Sequence, residues 1–227
     1  MDIRQDVAPR VVRYSECRLP TEYGPFQVFA YREEGNPNEH LAIVRGDVQG
    51  EHDVLTRVHS ECLTGEVLHS LKCDCREQLD YGLRRIADAG RGVVLYLRQE
   101  GRGIGLGDKI RAYQLQQQGY DTVDANRELG FADDLRRYHM VTQMLEDLDI
   151  RSVALMTNNP AKVDGLRRDG VLVTRRVPHL VEPHALNLGY LETKRTRMGH
   201  VYDLDSATPV PSRPDVDYDP SLLLDAE

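Results

Sequence analysis

The stretch from Arg76 to Gln118 constrains the fold of this chain most. Leu79, Leu83 and Ile86 recur at helical spacing until Gly90, and an unbroken apolar run, Val93 to Leu97, follows. Next come a glycine-studded segment, Glu100-Gly-Arg-Gly-Ile-Gly-Leu-Gly107, and a second helical stretch from Asp108 to Gln118 closed by Gly119. Helix, buried strand, loop and helix in that order predict an α/β arrangement. Val93 to Leu97 is also the longest apolar run in the chain, far short of the ~18–20 residues a membrane span needs.

The alternation continues downstream. A helix is predicted to open at Asp133-Asp134 and to carry Tyr138, Val141, Leu145 and Leu148 on one face. Val153 to Met156 reads as a strand, and Thr157-Asn-Asn-Pro160 as a turn whose proline starts a short helix stopped by Gly170. Val171 to Val177 is a further strand. Upstream, Phe26–Ala30 and Leu41–Val44 read as strands, with Gly24-Pro25 and the Gly35–Asn38 stretch as breakers. The expected fold class is α/β: a mixed β-sheet core with helices packed around it and a β-rich N-terminal portion. Residues 1–16 read as an N-terminal extension, 17–203 as one folded unit and 204–227 as a separate tail. That tail holds Pro209, Pro211, Pro214 and Pro220, with six acids against the single base Arg213, a composition that does not pack.

Charge narrows the partners. Against 29 Lys+Arg stand 37 Asp+Glu, a net charge of −8, which argues against a dedicated nucleic-acid partner because phosphate-backbone binding needs a basic face. The first residues, Met-Asp-Ile-Arg-Gln-Asp, lead into no apolar stretch. The expectation is therefore a cytoplasmic chain with no secretory leader and no membrane partner.

Three of the four cysteines cluster as Cys62-x10-Cys73-x-Cys75. Thiolates suit zinc, and a catalytic zinc keeps three protein ligands with a fourth position for water. Two other readings of the spacing stand beside it: a structural zinc completed by His59, His69 or Cys17, or three small core residues. A deaminase pattern fails, because His59-Ser60-Glu61 supplies His-x-Glu but the following pair is Cys-Asp-Cys preceded by Lys72. The glycine segment matches neither the dinucleotide fingerprint nor the Walker A loop. A strand, a flexible loop bearing Arg102 and a helix still allow backbone amides to cradle phosphates, or simply form a surface loop. Asp134 and Arg136 fall in the first turn of the predicted helix, where a cap and a solvated arginine are the ordinary roles. Lys162, just after the Thr157–Pro160 turn, stands where a helix start meets anions or solvent.

Arg57-Val-His-Ser-Glu-Cys-Leu-Thr-Gly65 and Ser70-Leu-Lys-Cys-Asp-Cys75 with Gln78 together resemble the zinc region of GTP cyclohydrolase II. So do Tyr96-Leu-Arg-Gln-Glu-Gly-Arg-Gly-Ile-Gly-Leu106, Lys109-Ile-Arg-Ala-Tyr113, Gly119-Tyr-Asp-Thr122, Leu129-Gly-Phe-Ala-Asp-Asp134 with Arg136, and Leu155-Met-Thr-Asn-Asn-Pro160 with Lys162. Tyr190-Leu-Glu-Thr-Lys194 and Met198-Gly-His200 complete a series that runs in order from about Leu19 to His200. One departure is Arg76, which follows Cys-Asp-Cys where many members have glycine.

The resemblance implies a catalytic domain over 17–203 that opens the imidazole ring of GTP. Formate and pyrophosphate leave, and a diaminopyrimidinone ribosyl phosphate remains, as the first step toward riboflavin. It implies one Zn2+ per subunit on Cys62, Cys73 and Cys75, Mg2+ with the triphosphate, and a homodimer. Arg57, Val58, His59, Ser60, Glu61, Gln78, Glu100, Gly101, Arg102, Thr122, Thr157 and Lys162 become the GTP contacts. Asp134 becomes the proton acceptor, Arg136 the nucleophile toward the α-phosphorus, and Tyr113 an assistant at the purine. The fused form with a dihydroxybutanone phosphate synthase domain in front is not expected at this length. Two alternatives share these motifs: a paralogue that stops at the formylated intermediate, and a non-catalytic zinc-stabilised nucleotide-binding module.

Overall fold

The computed structural model describes residues 8–132, 134–181, 187–197 and 199–201. Asp133, Met198 and the tail assigned to 204–227 lie outside them. Among the described residues, seven strands form one sheet in the order β1-β2-β3-β5-β4-β6-β7. They are β1 (Val11–Thr21), β2 (Gly24–Glu33), β3 (Glu39–Arg45), β4 (Val54–Ser60), β5 (Gly92–Leu97), β6 (Val153–Met156) and β7 (Val173–Val177). The first three strands and β5 pair antiparallel, as hairpins allow, whereas β5, β4, β6 and β7 run parallel. The sheet is thus mixed, with its β-rich portion at the N-terminal side.

Among the described residues seven α-helices accompany it: α1 (Leu63–Glu66), α2 (Cys75–Ala89), α3 (Leu106–Gln117), α4 (Thr122–Glu128), α5 (His139–Asp147), α6 (Pro160–Arg168) and α7 (Leu188–Arg197). Side chains alternate across each central strand. Val93, Leu95 and Leu97 face one core with Met140, Met144 and Leu145 of α5 and Val163 and Leu166 of α6. Val94, Ala154 and Met156 face the other, against Ile86, Leu79 and Leu83 of α2. The apolar spacing of the sequence is therefore what clamps a helical layer on each face.

Most of the predicted elements stand where the sequence places them, within the one or two residues by which helix ends ordinarily differ. Three differences bear on function. First, β1 begins at Val11, so the sheet starts within the segment read as an extension, and Arg13 ties it to α5 through Asp147 (Nε–Oδ2 2.9 Å). Second, β4, α4 and α7 have no clear local signal and were not expected as elements.

Third, the helix expected from Asp133-Asp134 starts only at His139. Residues 134–138 are instead stitched to the glycine segment. The Leu135 N–H donates to the Arg102 carbonyl (3.1 Å), and Gln99 brackets Arg137 by donating to its carbonyl (2.8 Å) and accepting from its N–H (3.3 Å). Backbone groups satisfied across the fold have no need of a helix.

Strand β4 has β5 on one side and β6 on the other, both parallel, so the loops leaving β4 and β6 diverge at their C-terminal ends. Such a divergence leaves a crevice, the general location of ligand sites in sheets of this kind.

Candidate active site and thiol centre

Most of the crevice lining comes from the β4 exit through Cys62, Cys73 with the start of α2, the glycine segment with α3, and the β6 exit through Lys162, with further residues from α4, α7 and the segments around Arg136 and His179. Three thiols form one wall. The Sγ atoms of Cys62, Cys73 and Cys75 lie within 4.8 Å of one another, and those of Cys62 and Cys73 are 3.7 Å apart. Tetrahedral Zn–S bonds of about 2.3 Å place ligand sulfurs about 3.8 Å apart, so the spacing fits a shared ion.

Gly65 makes this possible. A Cβ there would stand 2.9 Å from the Cys73 Sγ and 3.3 Å from the Cys62 Sγ, so only glycine lets α1 approach the thiols. Hydrogen bonds from Cys73 and Cys75 hold the Cys62 thiol well below its ordinary value, helped by the nearby Lys109 ammonium. The Cys62 thiolate in turn pushes Cys73 and Cys75 upward. All three ionise together only with a cation among them.

Among the described residues no fourth ligand joins this group. His59 turns its Nε2 to Glu66 Oε1 (2.7 Å), stacked on Tyr96, whose hydroxyl donates to the other Glu66 oxygen (2.6 Å). Cys17 is exposed on β1. Neither therefore completes a structural four-ligand site; Cys62 and Cys73 are buried, and with Cys75 they form a group that could hold a metal ion.

Cations form another part of the lining. Arg57 is buried, its guanidinium donating to the Met156 carbonyl (3.0 Å) and Gln78 Oε1 (2.6 Å), and burial brings it down to about 10. Gln78 donates in turn to Asp74 Oδ2 (2.5 Å), and the other Asp74 oxygen pairs with Lys194 (2.8 Å). Lys162 donates to the Val58 carbonyl (2.9 Å), and burial beside Arg57 and Arg136 pushes it well below the ordinary lysine range. Cations buried within range of one another are costly unless an anion joins them. Further, among the described residues the buried Arg57 Nε, His59 Nδ1, Ser60 Oγ, Arg102 Nη1 and His179 Nδ1 have no hydrogen-bond partner. Orphans of this kind are rare in a finished interior, and five in one crevice mark a place for a polar ligand.

Arg102 reaches this lining through backbone strain. Gly101, Arg102, Gly103 and Gly105 all have positive φ (62°, 61°, 96° and 88°), a path costly for any residue with a Cβ. A Cβ on Gly103 would also crowd the Leu135 backbone (3.2 Å), so the glycine is what seats the segment holding Arg136. Arg136 is held in turn by Asp134, whose Oδ1 also accepts from the Arg136 N–H (3.0 Å). Burial opposes the Arg136 charge, but the Asp134 carboxylate keeps the guanidinium above its ordinary value.

The remaining predicted residues divide. His59, Ser60, Glu61, Gln78, Glu100, Gly101, Tyr113 and Thr157 line the crevice. The Val58 side chain belongs to the core and offers only its carbonyl, which Lys162 uses. Asp134 lies not in this crevice but in the adjoining cleft, with Arg136 and Lys162 between the two. Thr122 is the first residue of α4, and its side chain lies outside the described residues. Arg76 sits on α2 beside Asp80 (3.7 Å), away from the crevice lining.

Several lining residues went unassigned in the sequence: Lys109, Asn126, Asn158, His179, Tyr190, Lys194 and His200. Lys194 packs its ammonium over the Tyr190 ring at 4.2 Å, and both belong to α7. The only signal for Lys109, Tyr190, Lys194 and His200 was membership of the quoted motifs.

Comparisons with known proteins give the family. A family model described as GTP cyclohydrolase II matches residues 12–178. The chain is 52% identical over 191 residues to a GTP cyclohydrolase-2 of Hahella chejuensis, covering 84% of this chain and 92% of that one. It is also 52% identical over 191 residues to the riboflavin biosynthesis protein RibBA of Chlorobium phaeovibrioides (84% and 47%), and 51% identical over 199 residues to RibBA of Bacillus subtilis (87% and 50%). This chain thus spans about half the length of the RibBA relatives. With the match running from β1 through β7, and a relative that it nearly spans sharing half of the aligned residues, this chain belongs to the GTP cyclohydrolase II family.

Proposed function

We propose that this chain hydrolyses GTP, opening the imidazole ring and releasing formate and pyrophosphate, and so serves riboflavin biosynthesis. The observation that carries the reading is the pairing of a thiol triad with buried cations in one crevice. A purine nucleoside triphosphate needs both: a centre for hydrolysis at the base and positive charge for the phosphates.

Cys62, Cys73 and Cys75 would hold one zinc, whose Lewis acidity brings the pKa of a water toward ~7. Arg57, Arg102 and Lys162 supply charge and unpaired donors to the nucleotide. Arg136 acts at the α-phosphorus as nucleophile. Its proton passes to Asp134, which already accepts from two guanidinium nitrogens, while diphosphate departs; water then cleaves the phosphorus–nitrogen bond, freeing the ribosyl phosphate and returning the guanidinium. Tyr113 stays protonated, because burial raises its phenol, and can donate to the amine that formate leaves. A magnesium ion accompanying the triphosphate, a homodimer and a cytoplasmic setting complete the proposal. Among the described residues no helix is long and apolar enough to cross a membrane.

Incubation of purified protein with GTP, followed by chromatography with mass detection, tests the reading. Formate and pyrophosphate in equal amounts are expected. Pyrophosphate with a retained formyl group identifies a chain that stops at the intermediate. The absence of both products, with GTP bound, leaves a binding module and overturns the proposal.

A further inference from the structure

Lys109 makes the contact that the ring chemistry leaves unexplained. It lies on α3, one turn before Tyr113, with a side chain only 11% exposed. Its ammonium donates to Cys62 Sγ at 3.0 Å and to Glu100 Oε1 at 2.8 Å. Among the described residues it bonds one thiol of the three and neither Cys73 nor Cys75. It therefore approaches the triad from one side and leaves the centre open to a metal.

Glu100 is equally committed. Its Oε1 also accepts from the Gly101 N–H (2.8 Å), and its Oε2 accepts from the Leu63 N–H (2.6 Å). A carboxylate whose two oxygens already meet three donors is poorly placed to bind substrate. It is well placed to orient the lysine.

Resting on the metal reading of the thiol triad, we propose that Lys109 and Glu100 are a positioning pair for the metal centre. The charge-assisted N–H···S bond offsets the charge of the Cys62 thiolate and draws electron density from its sulfur. A metal held there keeps a stronger pull on its remaining ligands than three unmodified thiolates would allow. Glu100 aims the lysine and joins the glycine segment to α1.

The test uses cobalt(II) in place of zinc in the full chain and reads the sulfur-to-cobalt charge-transfer band together with chelator competition. Zinc content of the unmodified protein is measured first: none in protein that competes for no metal sinks the metal reading itself, separately from the present proposal. In Lys109→Met the sulfur loses its hydrogen bond and becomes easier to oxidise. The band should move to longer wavelength, and, with the lysine no longer orienting Cys62 toward the ion, metal affinity should fall about 10- to 100-fold. Lys109→Arg, which keeps a charged donor, should recover most of both effects. A purely structural lysine would change stability without moving the band. If Lys109→Met does not fold, Glu100→Gln, which leaves Lys109 present but loosens its anchor, should shift the band in the same direction. An unchanged band and unchanged competition in the folded variants would overturn the proposal.

Discussion

The Asp134 carboxylate grips Arg136 side-on, with Nε 2.9 Å from Oδ1 and Nη2 2.5 Å from Oδ2. Two parallel bonds fix the guanidinium plane as a single bond would not. The pair also stands where the crevice meets the adjoining cleft, so it faces whatever passes between them.

That geometry makes Arg136 the group to remove. Arg136→Ala should abolish pyrophosphate release, a loss beyond the ~10²–10³-fold expected for one electrostatic donor. Arg136→Lys separates the roles, since a lysine retains charge but cannot be held side-on. Substantial pyrophosphate release from the lysine variant would reduce Arg136 to charge stabilisation, and undiminished release from the alanine variant would remove it from the chemistry. A coupled pyrophosphate assay reads both.

The thiol wall predicts a different separation. Cys73→Ser should lose its zinc and with it formate release, while pyrophosphate release persists, because the phosphate end of the crevice is built by other residues. Gly65→Ala should lower metal occupancy with all three thiols intact, because its Cβ would stand 2.9 Å from the Cys73 Sγ. Overpacking of this kind costs about 1–3 kcal/mol, enough to lower the melting temperature visibly without unfolding the chain. Metal analysis per chain, set beside formate yield, decides; full zinc in Gly65→Ala would show that α1 yields easily.

Tyr113 is the third test. Helical spacing alone would pack it beside Ile110, but Ile110 is 49% exposed and Tyr113 lines the crevice, its hydroxyl 3.4 Å from Thr64 Oγ1. Tyr113→Phe should still open the ring and accumulate the formamide, with formate release slowed roughly 10²–10⁴-fold. Normal formate yield and rate from this variant would leave the tyrosine a packing residue.

The fourth concerns α7, whose last turn is tied to α4. Arg197 pairs with Asp121 and with Asp124 (2.9 Å), and Asp121 caps α4 by accepting from the N–H groups of Val123 and Asp124. Burial raises the Asp121 carboxyl, but the Asp124 N–H, Arg197 and the Val123 N–H together hold it below the usual carboxylate range. A depressed carboxylate stabilises the fold above its unfolded value of ~3.9, and the contribution fades as pH falls through the lower, folded value. Amide-exchange protection of α7 should therefore drop below about pH 4 in the unmodified chain. Asp121→Asn, which can cap but not pair, should show weaker protection without that step, and Asp121→Ala should cost about 1 kcal/mol in stability. Identical pH profiles for the chain and Asp121→Asn would discard the linkage.

Legibility followed the range of the interactions. The apolar strands Val93–Leu97 and Val153–Met156 and the α2 face of Leu79, Leu83 and Ile86 announce themselves within a few residues, and the sheet and its helical layers follow from them. The three thiols were readable as a group because they are close in sequence. By contrast β4, in spite of carrying Arg57, His59 and Ser60 into the crevice, has no period-2 pattern, since it is buried between two parallel neighbours on a sheet covered on both faces. The helix expected from Asp133-Asp134 starts late because the Leu135 N–H and both backbone groups of Arg137 are bonded to Arg102 and Gln99, partners more than thirty residues away.

By itself the sequence determined most of the element types, the α/β class and the chemistry available: thiols, a glycine-rich segment and scattered cations. Only the tertiary structure decided which of these meet. It set Lys109 on Cys62, paired Lys194 of α7 with Asp74 between two cysteines, and placed Arg57, Lys162 and Arg136 around one unfilled space. The physical reason is the same in each case. Helix caps, turns and apolar spacing are local and cooperative along the chain, whereas a buried ion pair or a thiolate–ammonium bond forms only after the sheet order has brought distant segments together.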